Sequence, residues 1–194
     1  PEGVQQYLKI VEKMRANFGK GAYPGSPWFA LEGMREIDKA TIFEMQRDVF
    51  QQLRHNIFDK RAGLHERDAY EGLLGVIPPK EKRGLVMIDP PYELKTDYQA
   101  VVSGLIEGHK RFATGVYALW YPVVLRQQIK RMIHGLEDSG ISRILQIELA
   151  VRPDNDHRGM TASGMIVINP PWKLEQQMAA LLPWLHRTLR SEER

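Results

Sequence analysis

No cysteine occurs among the 194 residues, which excludes disulfides and thiolate metal sites and fits a cytoplasmic protein. Long apolar runs are missing too. Nothing approaches the ~20 apolar residues of a membrane span, and no signal peptide is visible, so no membrane partner is expected. An excess of one charge is also lacking: 27 Lys and Arg face 24 Asp and Glu, leaving +3 and a pI near 9.1. That balance permits a nucleic-acid partner without demanding one. Basic clusters at Lys80–Arg83, His109–Arg111 and Arg126–Arg131 read by default as solvated faces. There is no internal repeat, low-complexity tract or linker, and the length suits one globular domain spanning 1–194.

What is present is an alternation of strand and helix signals. Val4, Leu8, Val11 and Met14 fall at helical spacing and predict a helix over 3–18, ended by Gly19 and Gly21. Tyr23-Pro24-Gly25-Ser26-Pro27 predicts a turn into a short helix. A strand over about 40–44 ends at Glu44 and a helix runs to Asn56. A short strand near 61–65 ends close to Asp68, with a helix from 69 to 75. After an apolar strand from Gly84 to Ile88 come a helix over 97–112, a strand over 115–120 and a helix over 123–138. Two long strands, 143–151 and 163–169, and a helix over 173–189 close the chain. This order implies an α/β, doubly wound, mostly parallel sheet with an antiparallel hairpin at one edge.

The apolar strand ends abruptly in Asp89-Pro90-Pro91-Tyr92. Open α/β sheets place their ligands at this carboxyl edge. The letters alone are equally a proline-rich strand exit with a packing tyrosine. They also suit methyl transfer to an exocyclic amine of a nucleobase. Such an amine is a poor nucleophile because its lone pair is delocalised into the ring. A carboxylate and a backbone carbonyl accepting its N–H bonds localise that pair. Pro90 and Pro91 restrict the backbone so that carbonyls aim outward, and Tyr92 offers a flat face to an extruded base.

Residues 84–120 (GLVMIDPPYELKTDYQAVVSGLIEGHKRFATGVYALWYP, which continues to Pro122) and 158–185 (RGMTASGMIVINPPWKLEQQMAALLPWL), with Tyr23–Pro27 and the Glu44 strand end, resemble a known family. It is the RlmJ family of bacterial large-subunit (23S) rRNA adenine-N6 methyltransferases, class I enzymes dependent on S-adenosylmethionine. The resemblance implies a seven-stranded class I methyltransferase sheet. It makes 1–35 a helical insertion and 36–194 the core sheet and helices. Asp89 matches the catalytic acid, with Pro90, Pro91 and Tyr92 completing the motif. Glu44 matches the carboxylate on the cofactor's ribose hydroxyls, and Asp68 an acid near its adenine. The family follows that acid with glycine where this chain has Ala69, leaving a backbone contact at 69. Ser26 matches a serine against the cofactor. On the residues alone, Glu44 is a strand end and Asp68 and Ser26 are helix caps. The family's first strand and its acidic, glycine-rich cofactor turn have no counterpart here. The first strand is thus expected to be missing, and this chain alone is expected to bind cofactor poorly or not at all.

Asn169-Pro170-Pro171-Trp172 repeats the pattern after another apolar strand. It follows the last strand of the edge hairpin, away from the transfer site, and reads as a structural strand exit. The loop Arg152–Met160 offers Asp154, Asn155 and Asp156 but lacks the spacing and final glutamate of a calcium loop. It is expected to be flexible and near RNA. His109, His134 and His157 show no metal spacing, and methyl transfer from a sulfonium requires no metal. The resemblance therefore implies methylation of an unpaired rRNA adenine by an enzyme expected to be cytoplasmic; the sequence does not fix its oligomeric state, and a monomer is favoured. Two rivals are a DNA adenine-N6 methyltransferase and a non-enzymatic DNA-binding protein linked to use of external DNA as nutrient.

Overall fold

A computed structural model of the chain describes residues 1–154 and 159–191. They form a mixed α/β fold in two units, Pro1–Leu73 and Leu74–Arg194. Among the described residues there are six strands in a two-stranded and a four-stranded sheet, rather than a single seven-stranded one.

The first unit opens with two helices, α1 (Glu2–Phe18) and α2 (Ser26–Gly33). Gly19 ends α1 at φ 101°, a conformation that glycine adopts without a Cβ penalty. The helices share an aromatic seam. Tyr7 stacks on Phe29 with centroids 5.5 Å apart, and Phe18 meets Trp28 edge-on at 5.6 Å. The Lys13–Glu32 ion pair at 2.7 Å closes the far end. Strands β1 (Ala40–Glu44) and β2 (Ala62–Glu66) pair in parallel, joined through α3 (Arg47–Asn56), whose Phe50 is buried. Arg61, at the start of β2, donates to the carbonyls of Leu31, Met34 and Arg35, fastening the end of α2. Phe43 lies against Gly72 of α4 (Ala69–Val76), where a larger residue would not fit.

The second unit is a four-stranded sheet in the order β3-β4-β6-β5. Its strands are β3 (Leu85–Ile88), β4 (Val116–Val123), β5 (Ile144–Ala150) and β6 (Ala162–Ile168). β3 and β4 are parallel, while β6 runs antiparallel to both β4 and β5. Alternate residues of β4 form the core: Tyr117, Leu119, Tyr121 and Val123 are at most 1% exposed. Burial of such side chains stabilises by roughly 1.5–3 kcal/mol each. Helices α5 (Lys95–Arg111) and α6 (Arg126–Asp138) pack on each other, with Val101, Leu105, Ile129 and Leu136 buried. α7 (Leu174–Ser191) packs on β5, its His186 Nδ1 2.8 Å from the Ala150 carbonyl.

Element ends differ from the sequence expectation by a few residues, most plainly at α5, β4 and α6. α5 begins before Asp97, because that residue sits inside the first turn, where its carboxylate accepts the Leu94 N–H at 2.9 Å. β4 runs on to Val123 through Pro122, so α6 begins later. Beyond Leu119, among the described residues, only β6 flanks β4, an edge position of the kind that tolerates proline.

Candidate functional site

In each parallel pair the carboxyl ends of the strands share one edge; Glu44, Glu66 and Asp68 lie at that of β1 and β2, and Asp89 follows β3. In the first unit, Glu44 closes β1. Its Oε1 accepts the Gln46 N–H at 2.7 Å, and among the described residues nothing bonds its second oxygen. The Arg67 N–H bonds the Glu44 carbonyl at 3.2 Å, so the chain leaving β2 passes this edge. Asp68 follows and caps α4, its Oδ1 accepting the Glu71 N–H at 2.9 Å. Ala69 is the first residue of that helix. Ser26 is the first residue of α2, while the cap position belongs to extended Gly25.

In the second unit, Asp89 leaves β3 exposed to solvent, followed by half-buried Pro90 and exposed Pro91. Tyr92 takes φ 51°, a left-handed backbone that is uncommon for a bulky residue. That turn swings its ring back onto the sheet. The hydroxyl donates to the Trp120 carbonyl at 2.8 Å, and the ring lies 4.7 Å from Tyr98 and 6.2 Å from Trp120. Trp120 is itself fixed, its Nε1 donating to Ser163 Oγ at 2.8 Å. Burial, then the Asp97 charge, raises the Tyr98 hydroxyl above its ordinary range, so it stays protonated.

The sequence reading missed Tyr98 and Trp120 as supports of the motif. The signal for Trp120 was there: it lies near the carboxyl end of the strand beside β3. Tyr98, on α5, carried no such mark.

Asn169 lies at the opposite edge. It pairs next to the first residues of β4 and β5, and its Nδ2 donates to the carbonyls of Ala113 and Gly115, both at 2.8 Å. The amide is thus a strand-exit clamp remote from Asp89. In the 152–160 loop, Asp154 engages Arg126 and Thr161, while residues 155–158 lie outside the described residues. Among the described residues no three His, Asp or Glu side chains gather as metal ligands, and no helix is long and apolar enough to cross a membrane. A hollow of about 460 Å³ in the first unit, lined by Phe18, Trp28, Phe58 and Arg61 among others, contains none of these acids.

Two parallel strand pairs and an antiparallel hairpin define an α/β protein, a class whose ligands commonly lie at the carboxyl edge of the sheet. The family model described as "Ribosomal RNA large subunit methyltransferase D, RlmJ" matches residues 1–194, and the chain belongs to that family. Over 190 residues it is 57% identical to the ribosomal RNA large subunit methyltransferase J of Escherichia coli K12. Over 193 residues it is 53% identical to the protein of that name in Haemophilus influenzae. Each match covers 97% of this chain and 68% of the relative. The crystal structure of a DUF519-family protein from Legionella pneumophila superposes with a TM-score of 0.86 at 29% identity. That match covers 95% of this chain and 69% of the other.

Proposed function

We infer that this protein transfers a methyl group from S-adenosylmethionine to the N6 amine of an adenine in large-subunit (23S) rRNA, in the cytoplasm. Family membership over the whole chain carries the reading. It favours RNA over the two DNA readings, because both relatives are named for ribosomal RNA. The parallel pairs β1·β2 and β3·β4, with antiparallel β6 beside β4, support a single domain built on the doubly wound, seven-stranded class I sheet.

The chemistry of the carboxylates suits the cofactor. Glu44, half-buried at a strand end with one oxygen held by the Gln46 amide, presents the other to the paired hydroxyls of a ribose. Asp68, its Oδ1 tied up in capping α4, together with the backbone at Ala69, borders the adenine end, and Ser26 meets the cofactor from α2. When bound, S-adenosylmethionine supplies a methyl group on a cationic sulfur. Asp89 accepts the N–H of the target amine, which directs the nitrogen lone pair out of ring conjugation. Pro90 and Pro91 hold the adjoining carbonyls outward. Tyr92, braced by Tyr98 and Trp120, walls the place of the extruded base. Catalysis is positioning and electrostatics, and the base must leave its stack.

The test supplies labelled S-adenosylmethionine and deproteinised large-subunit rRNA lacking its own modification to the full-length protein, then digests the RNA to nucleosides. Label in N6-methyladenosine is expected. Asp89→Ala should lower turnover by about 100-fold or more while RNA affinity stays within a few-fold. Label in another nucleoside, or a fully active Asp89→Ala enzyme, overturns the reading.

A further inference from the structure

The second motif has an aromatic disposed unlike that of the first. Tyr92 is tucked against Tyr98 and Trp120, whereas Trp172 is 93% exposed. A tryptophan this open presents a flat, amphipathic face to solvent on which another ring can stack. Its mounting is rigid. Asn169 sits at φ 54°, and its amide is locked onto two carbonyls of the turn before β4. Two prolines then fix the backbone up to the ring.

Cations flank it. The sheet register brings the amino ends of β3, β4 and β5 and the carboxyl end of β6 to this one edge. Lys80, Lys82 and Arg83 crowd the turn into β3, Arg143 precedes β5, and Lys173 follows the tryptophan, all exposed. Across the four strands the row is roughly 14 Å wide, from three inter-strand spacings. The acids on this side are Glu81, Glu175 and, at the close of α6, Glu137 and Asp138. Lys110 is already paired with Glu107, and Arg111 Nε donates to the Ile77 carbonyl. The positive excess is slight, so the ring supplies most of the grip.

We propose that Trp172 and this basic edge form a second RNA contact, on which an unpaired base of the same rRNA stacks while a different segment occupies the Asp89 edge. Exposed aromatic faces with neighbouring cations bind single strands in this way. The proposal rests on the rRNA reading above. The two edges lie at opposite ends of the strands, roughly 17 Å apart along five residues of extended chain, so a short RNA reaches only one of them.

The experiment compares steady-state methylation of two RNAs: the shortest fragment that still accepts a methyl group, and the same fragment extended on both sides. Trp172→Ala should raise KM for the extended RNA about tenfold. It should leave kcat, and both constants on the short RNA, unchanged. Trp172→Phe should retain most of the affinity, and Lys82→Glu with Arg83→Glu should flatten the salt dependence of binding the extended RNA. Equal KM for Trp172→Ala and unsubstituted enzyme on the extended RNA overturns the proposal and leaves the exposed face to a protein partner. Equal losses on both RNAs overturn it too, since the residue then acts at the transfer site or on the fold. If the unsubstituted enzyme methylates neither RNA, the parent reading falls and this one with it.

Discussion

The Tyr92 hydroxyl donates to the Trp120 carbonyl at 2.8 Å, which ties the loop after β3 to the adjacent strand. Without that bond the left-handed turn at Tyr92 loses its polar tie to β4. Tyr92→Phe should therefore cost about 1 kcal/mol of stability. Turnover should fall several-fold, with KM for RNA little changed. Thermal unfolding and steady-state kinetics on the same preparation check both; unchanged turnover would mean that this bond does not place the motif.

In the function proposed above Glu44 takes two ribose hydroxyls on one carboxylate, and loss of charge-assisted hydrogen bonds is costly. Glu44→Gln should weaken S-adenosylmethionine binding by about 10- to 100-fold without changing the fold. Calorimetric titration with the cofactor measures this directly. Undiminished affinity would remove Glu44 from the cofactor site.

Arg126 bridges Glu148, at 2.7 Å, and Asp154, through bonds of 2.7 and 2.9 Å. These bonds raise its basicity and hold the Asp154 carboxyl below its ordinary range. Because Arg126 is partly solvated, screening limits its contribution, and Arg126→Ala should cost only about 1–2 kcal/mol. That corresponds to roughly 2–8 °C in unfolding midpoint for a chain of this size. Arg126→Lys keeps the charge but not the planar fork, and should fall between.

Tyr117 and Tyr121 are each pushed up to about 12 by burial. A hydroxyl whose folded value is raised above the ordinary 10 stabilises fully below about pH 10. That stabilisation is lost as pH rises through about 12. Near-ultraviolet absorbance should show most tyrosines ionising first, and the last two only as circular dichroism reports unfolding. Ionisation of all seven tyrosines with the fold intact would contradict the burial.

Much of this was legible in the sequence. Most strands were marked by an apolar or β-branched run, and the run before Asp-Pro-Pro-Tyr is indeed the strand β3. What escaped were relations between strands. Gly164 pairs with Tyr121 on one side and Glu148 on the other. Having no side chain, it lets the tyrosine ring lie across it and reach Glu148 and Gln146. In the linear chain it is one glycine in an apolar run. Asp97 likewise read as the start of a helix that in fact begins at Lys95, since a carboxylate at a cap and one inside the first turn look alike in sequence. The supports of Tyr92 come from β4 and α5, and their convergence depends on register and packing.

Strand direction decides what the two proline motifs mean. β3 and β6 end in nearly the same letters but run in opposite senses, so the two exits emerge at opposite poles of one sheet. Asn169→Asp would complete an acid-Pro-Pro-aromatic signature without creating a second methyl-transfer centre. A carboxylate has no N–H to give, so the two bonds to Ala113 and Gly115 would become repulsions between oxygens. At that pole the amide is a hinge pin, and an acid in its place would loosen the platform that carries Trp172.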